Sequence, residues 1–281
     1  MKEGSLGNKL LEAALWLRRA QQVVVFTGAG VSAESGIATF RDEGGLWARF
    51  PPERFAHVSG LLALLRDDPA RLAEFCREVI APIAEARPNP AHRAIAAFEA
   101  YIPVVVVTQN VDGLHQEAGS THVHEIHGSL LAVRSVLGGV EHLRRQDLQE
   151  VSKNLRRATV QTSRRRLLWA LRRLLGVSHW GPYRPDVVMF GEPLREPDWT
   201  LGRRAVHESD VLLVVGTSGL VMPAAELPSE ARARGAKVIQ IDPHPPDEPV
   251  LWLQGKAGEV LPALLQEAFG TSLNATELPF G

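Results

Sequence analysis

Phe26-Thr27-Gly28-Ala29-Gly30-Val31-Ser32-Ala33-Glu34-Ser35-Gly36 is the stretch that decides the fold. It follows Val23-Val24-Val25, an apolar run that reads as a buried strand. Small residues crowd the turn that comes next. A backbone needs them there to approach a pyrophosphate and aim its N–H groups at the charge. Gly28-x-Gly30-x-x-Ala33 formally satisfies the dinucleotide fingerprint. Alone that pattern is weak, because a tight structural turn produces it too. An ordinary dehydrogenase would continue through a helix and a second strand to an acid that holds the ribose. Here the chain runs into Gly36-Ile37-Ala38-Thr39-Phe40-Arg41-Asp42. That reads as a loop carrying an aromatic ring and an arginine over a nucleotide, and it argues against hydride transfer.

Working outward, residues 103–107, 186–189, 211–215 and 237–241 read as further buried parallel strands. Helical patterns occupy 8–21, 90–100, 197–209 and 224–234. Alternating strands and helices imply an α/β fold, with a Rossmann-like parallel sheet and helices on both faces. Such sheets bind ligands beyond the carboxyl ends of their strands. Two segments break the alternation. Residues 46–87 are helical in pattern with proline breaks, and 131–183 are arginine-rich, with only Glu141, Asp147 and Glu150 as acids. They are expected to form a smaller, mostly helical lobe. The division is then 1–45, 88–130 and 184–281 for the nucleotide-binding domain, and 46–87 with 131–183 for the small lobe.

Composition narrows the classes. The 281 residues are 45% hydrophobic, enough for one large domain or two modest ones, and the net charge of −1 says nothing about partners. Cys76 is the only cysteine, which excludes an internal disulfide and a multi-cysteine zinc site. No apolar run reaches the ~18 residues of a membrane span. Met1-Lys2-Glu3-Gly4 leads into an amphipathic pattern rather than a signal-peptide core. No membrane association and a cytoplasmic location are therefore expected.

Three more runs follow apolar strands. They are Thr108-Gln109-Asn110-Val111-Asp112-Gly113-Leu114-His115, then His124-Glu125-Ile126-His127-Gly128-Ser129, and Gly216-Thr217-Ser218. With the glycine turn they suggest a nucleotide site that does chemistry with a histidine. Gly28-Ala29-Gly30-x-Ser32-Ala33-x-Ser35-Gly36-Ile37-x-x-Phe40-Arg41 resembles the first signature of the sirtuins, and Thr108 to His115 resembles the second. His127-Gly128 is similar to the family's catalytic histidine pair. Arg184-Pro185-Asp186-Val187-Val188-x-Phe190-Gly191-Glu192 is similar to its substrate-strand motif. Gly216-Thr217-Ser218-x-x-Val221-x-Pro223-Ala224 and Gly255-Lys256-Ala257-Gly258-Glu259 complete the set in family order.

The resemblance implies NAD-dependent removal of acyl groups, acetyl foremost, from protein or peptide lysine side chains. The products would be nicotinamide, free lysine and an O-acyl-ADP-ribose. His127 would act as general base on a ribose hydroxyl, which suits a group whose ordinary pKa lies near working pH. Asn110 and Asp112 would grip the nicotinamide carboxamide beside Val111, and Gln109 would reach a ribose hydroxyl. The N–H groups of Ala29 and Gly30, with Gly28 and Ser32, would cradle phosphate. Phe40 would cover the sugar and Arg41 would pair with a phosphate or hold the loop. Gly216, Thr217 and Ser218 would face the adenosine half, near Asp242 and Ala257. The peptide would lie as an added strand between Phe190-Gly191-Glu192 and 219–221, where Val221 sits. Each residue type also has a plainer use: Asp112 as a helix N-cap, Ser218 as a cap, Phe40 as core. His115, His122 and His124 read as structural or exposed.

The chain departs from the family at several positions. Sirtuins usually carry two C-x-x-C pairs between the catalytic histidine and the Phe-Gly-Glu motif; here 131–183 holds no cysteine, and only His142 and His179. No zinc is expected. Leu167, Leu168, Leu171, Leu174 and Leu175 recur at helical spacing and would supply an apolar core instead. Ala38 stands where the family has proline. Asp242 replaces a usual asparagine, which favours NAD over a 2′-phosphorylated form. Neither Tyr101 nor Tyr183 has an arginine three residues on, so the pair that reads acidic acyl groups is missing, though Arg77 leaves such groups open. The basic insert reads as a solvated face or as a docking patch for nucleic acid or an acidic protein. Two other activities use the same pocket: NAD hydrolysis or ADP-ribosyl transfer, and non-catalytic NAD sensing. Metal analysis of the purified protein is expected to find no tightly bound zinc; one zinc per chain would refute that expectation.

Overall fold

The structure is a computed structural model describing residues 6–39, 44–135, 137–157, 162–178, 181–271 and 273. Its strands in chain order are β1 (Val23–Thr27), β2 (Val104–Thr108), β3 (Val123–Glu125), β4 (Gly128–Ser135), β5 (Val140–His142), β6 (Val177–Ser178), β7 (Gly181–Val187), β8 (Val211–Val215), β9 (Lys237–Asp242) and β10 (Leu251–Gln254). Six of them form one parallel sheet in the order β10-β9-β8-β1-β2-β3.

β1 lies inside this sheet, and its Val23 is in register with Val104 on one side and Val211 on the other. Alternate residues serve opposite faces. Val23 and Val25 join the cluster built on helices Leu6–Arg19, Pro90–Phe98 and Ala257–Phe269. Val24 and Phe26 join the cluster on helices Asp198–Glu208 and Leu227–Ala233. Both faces are covered, and this is why the strands read as continuous apolar runs. The edge strands β3 and β10, three and four residues long, are too short to show a pattern.

The segment 186–189 was expected in the parallel sheet and is not there. Asp186 and Val187 end β7, which runs antiparallel to β4 in a second sheet of order β5-β4-β7-β6. A four-residue apolar run carries no information about which sheet it joins. The small lobe therefore combines this sheet with helices Leu46–Arg49, Pro52–Phe55, Val58–Asp67, Pro69–Glu85, Arg145–Arg156 and Arg164–Ala170. Pro52 and Pro69 open their helices, where a missing N–H costs nothing. Pro82 lies inside its helix rather than ending it.

One apolar cluster joins the two insertions. It brings Phe50, Phe55, Leu64, Leu72 and Ile80 against Leu148, Val151, Leu155, Leu167, Leu171 and Leu174. Leu175 packs at its edge, while Leu168 is half-buried outside it. Three of the insert's arginines pair with acids outside it, and Arg144, Arg172 and Arg173 pair with Asp147 and Glu150 within it. Arg134 meets Asp186 at 2.8 Å, Arg145 meets Glu117 at 2.6 Å, and Arg156 pairs with Glu85. Arg164, Arg165 and Arg166 remain exposed. Leu148 is fully buried, so Leu148→Ala is expected to cost about 2–5 kcal/mol in urea unfolding. A loss below about 1 kcal/mol would show that this cluster does not hold the lobe.

Candidate active site

From β1 the chain moves to β2 and β3 on one side, then crosses to β8 on the other. The turns after β1 and β8 therefore flank the topological switch point, where open α/β sheets form their crevice. The two turns touch. Gly30 N–H donates to the Gly216 carbonyl at 2.8 Å. A Cβ on Gly30 would lie 2.6 Å from Gly216 Cα, and one on Gly28 would lie 2.8 Å from Gly216 O. Gly216 has φ +57°, a conformation glycine adopts freely. The glycines thus answer first to the crossing of two backbones. The Gly30 N–H, expected to cradle phosphate, is committed to Gly216. Ala29 opens the short helix Ala29–Ser35, and Glu34 Oε2 accepts the Gly258 N–H at 2.7 Å. That bond ties the glycine turn to the helix that Ala257 begins; Ala257 itself is buried in the sheet's core.

Ser32 was also expected at phosphate. It is fully buried, and its hydroxyl donates to Asp112 Oδ2 at 2.7 Å and accepts from Asn110 Nδ2 at 3.1 Å. The hydroxyl is turned inward because two buried polar side chains need it there. Asn110 Nδ2 also donates to the Gly28 carbonyl at 3.0 Å. Among the described residues no hydrogen bond uses Asn110 Oδ1, which leaves an acceptor for a ligand N–H. Asp112 Oδ1 accepts the Leu114 N–H at 3.0 Å, so the buried carboxylate satisfies the first N–H of the helix Leu114–Glu117. Burial holds this carboxyl above its ordinary pKa, against the Leu114 N–H, the Ser32 hydroxyl and the Arg145 charge. The Val111 carbonyl accepts from Leu130 N–H at 2.9 Å. Gln109 Nε2 donates to Thr217 Oγ1 at 2.8 Å, spanning the ends of β2 and β8.

Beneath lies a buried layer of which the sequence reading named only His115, as structural or exposed; it is structural. Thr27 Oγ1 donates to Thr108 Oγ1 at 2.8 Å and meets His115 Nε2 at 2.9 Å. The rings of His115 and His92 sit 4.9 Å apart. Burial pushes His115 down to about 4 and His92 down to about 2, the latter also repelled by His115 and Arg93.

His127 occupies the link between β3 and β4. The next residue, Gly128, has φ +78°, and a Cβ there would lie 1.9 Å from the Asp186 carbonyl. His127 Nδ1 is 3.1 Å from the Gln109 carbonyl. A carbonyl only accepts, so Nδ1 carries the proton and Nε2 is the basic nitrogen of the neutral ring. Burial lowers the pKa of His127, with the Gln109 carbonyl opposing. Glu125, quoted in the motif but given no role, is pushed up to about 7 by burial, against hydrogen bonds from Ser129 and Gln116.

On the expected peptide side, Phe190 is exposed and stands edge-on to Trp47 and His57, with ring centroids at 6.1 and 5.8 Å. Its N–H donates to the Ala56 carbonyl at 2.8 Å. Gly191 has φ +86°. The Glu192 carboxylate accepts two bonds from Arg184, at 2.9 and 3.0 Å, and one from Met189 N–H. An arginine fork from β7 and a backbone donor satisfy it. The Val221 carbonyl accepts from Ala225 N–H, between exposed Leu220 and Met222. Ser218 is exposed, and Asp242 Oδ1 accepts from His244 N–H at 2.9 Å. Phe40 and Arg41 lie outside the described residues. The structure thus forms two hydrogen-bonded groups that meet along the chain at Gln109-Asn110: Gly28, Ser32, Asn110 and Asp112 in one, and His127, Gln109 and Thr217 in the other, with Gly30 bonded to Gly216.

The Sir2 family model matches residues 28–223. This chain belongs to the Sir2 family. It is similar to NAD-dependent protein deacylase 2 of Pyrobaculum aerophilum, 42% identical over 255 residues, covering 89% of this chain and 92% of that one. A Sir2 homologue solved in complex with NAD is 32% identical, with a TM-score of 0.71 over 93% of each chain. Sir2Af2 bound to a myristoylated histone peptide is 31% identical, with a TM-score of 0.67 over 93% of this chain and 97% of that one.

The buried histidines make this Sir2 site sensitive to acid. A lowered folded pKa means that the unfolded chain binds more protons below pH 6.5, so stability falls as pH drops from 6.5 toward 4. Urea unfolding of the parent and of His115→Gln across that range checks this. The expected result is a shallower fall in the variant; equal slopes would contradict it.

Proposed function

We propose that this protein removes acyl groups, acetyl foremost, from protein lysine side chains at the expense of NAD. The observation that carries the reading is the His127 imidazole, held through Nδ1 on the carbonyl of Gln109, next in the chain to Asn110, whose amide is joined to Asp112 through Ser32. The donor set fits a dinucleotide: an unused amide oxygen on Asn110, a buried carboxylate on Asp112, and the Gln109–Thr217 bridge across the crevice. Bound NAD supplies an ADP-ribosyl group whose nicotinamide bond, once broken, makes the sugar an acceptor for the acyl oxygen.

This chain's residues do the rest. Asn110 and Asp112 bind and orient the carboxamide. His127 Nε2 takes the proton of a ribose hydroxyl, and burial keeps the ring neutral for that task. Phe190 and Val221 border the peptide. The relative bound to a myristoylated histone peptide supports a peptide substrate with a neutral acyl chain. The small lobe works without zinc in this proposal. Support comes from the single cysteine, Cys76, and from the leucine-rich cluster that joins both insertions.

The test is a panel of acetyl-, longer neutral acyl- and succinyl-lysine peptides incubated with NAD. Nicotinamide release should require a peptide and prefer the neutral acyl groups. His127→Ala should lose at least about 100-fold in rate while keeping NAD affinity. The parent's rate should fall as pH drops below 6.5, because the imidazolium cannot take a proton. Release independent of peptide would instead indicate an NAD hydrolase.

A further inference from the structure

Arg145 opens the first helix of the basic insert, yet its side chain is only 12% exposed. Its guanidinium reaches three separate elements. Nη2 donates to the Asp112 carbonyl at 2.9 Å, Nη1 to the Ile83 carbonyl at 2.5 Å, and Nε pairs with Glu117 Oε2 at 2.6 Å. Ile83 lies in the last turn of helix Pro69–Glu85, where carbonyls lack partners within the helix. One turn further along the insert helix, Gln149 Nε2 donates to the neighbouring Ala84 carbonyl at 3.2 Å. The two insertions are thus clipped together here, and Arg145 extends the clip by a hydrogen bond to the loop that carries Asp112. In that loop Gly113, next to Asp112, has φ +69°, which favours glycine, and it packs against Leu131 Cδ1.

We propose that Arg145 is a positioning residue, through which the insert fixes the Asp112 peptide and so aims the buried carboxylate at the nicotinamide end of the cofactor. The inference rests on the functional reading above, in that Asp112 is taken to grip the carboxamide. A planar guanidinium can serve three acceptors at fixed angles, which no other side chain does. Asp112 is then held from both sides, by Ser32 through its carboxylate and by Arg145 through its carbonyl. The insert becomes part of the cofactor site without touching the cofactor.

Calorimetry with NAD and with ADP-ribose on the full chain tests this. Arg145→Met should weaken NAD binding about tenfold and leave ADP-ribose, which lacks nicotinamide, within about twofold. Gln149→Ala, which loosens the same helix end without reaching Asp112, should change neither. Equal weakening of both ligands, or no change in either, would overturn the proposal. Should Arg145→Met fail to fold, Glu117→Gln removes one of the three anchors and should show the same selective loss, in smaller measure. The readout needs no turnover. A parent that binds NAD but deacylates nothing would therefore sink the functional reading and leave this inference to stand or fall by itself.

Discussion

The crevice is organised by the contact between two turns. Gly30 N–H meets the Gly216 carbonyl at a separation that neither residue could keep with a side chain. The contact fixes the turn after β1 against the turn after β8, and Ser32 follows within the same turn. Once Ser32 is buried there, its hydroxyl needs partners, and Asp112 and Asn110 supply them. Asn110 in turn binds the Gly28 carbonyl. A backbone crossing thus becomes a set of mutual hydrogen bonds linking the ends of β1, β2 and β8. The arrangement around Ser32, Asn110 and Asp112 is preformed by polar satisfaction inside the protein.

The histidine is placed by a different device. His127 lies between a strand of the large sheet and a strand of the small one, so both lobes determine its position. Gly128 must adopt a positive φ against the Asp186 carbonyl, and Val188 N–H holds the His127 carbonyl at 2.9 Å. The ring is oriented through Gln109, whose side chain reaches Thr217 on the far wall. One residue therefore joins His127 to the opposite side of the crevice. Such fixed dipoles need no rearrangement when charge moves.

The parallel sheet was legible because its strands are covered on both faces and read as unbroken apolar runs at Val23, Val104, Val211 and Val238. The short strands Val123–Glu125 and Leu251–Gln254 carried no such signal, and the run ending in Met189 gave no hint of its sheet. The site's polar residues were legible as motifs, since Asn110, Asp112 and His127 follow strands closely in sequence. Their partners were not. Ser32 and Gly30 were assigned to phosphate because a linear reading cannot see that Asp112 and Gly216 lie against them. Arg145 was submerged in a run of arginines, and only packing separates it from its exposed neighbours. Glu125 was visible, but its burial was not.

The central claim is that His127 is a neutral base with its proton on Nδ1 and its basic nitrogen on Nε2. Imidazole 15N chemical shifts of His127, followed across pH in the parent protein, test it most directly. The account predicts the Nδ1–H tautomer at neutral pH and a midpoint below 6.5. A ring protonated on Nε2, or a midpoint above 6.5, would contradict it.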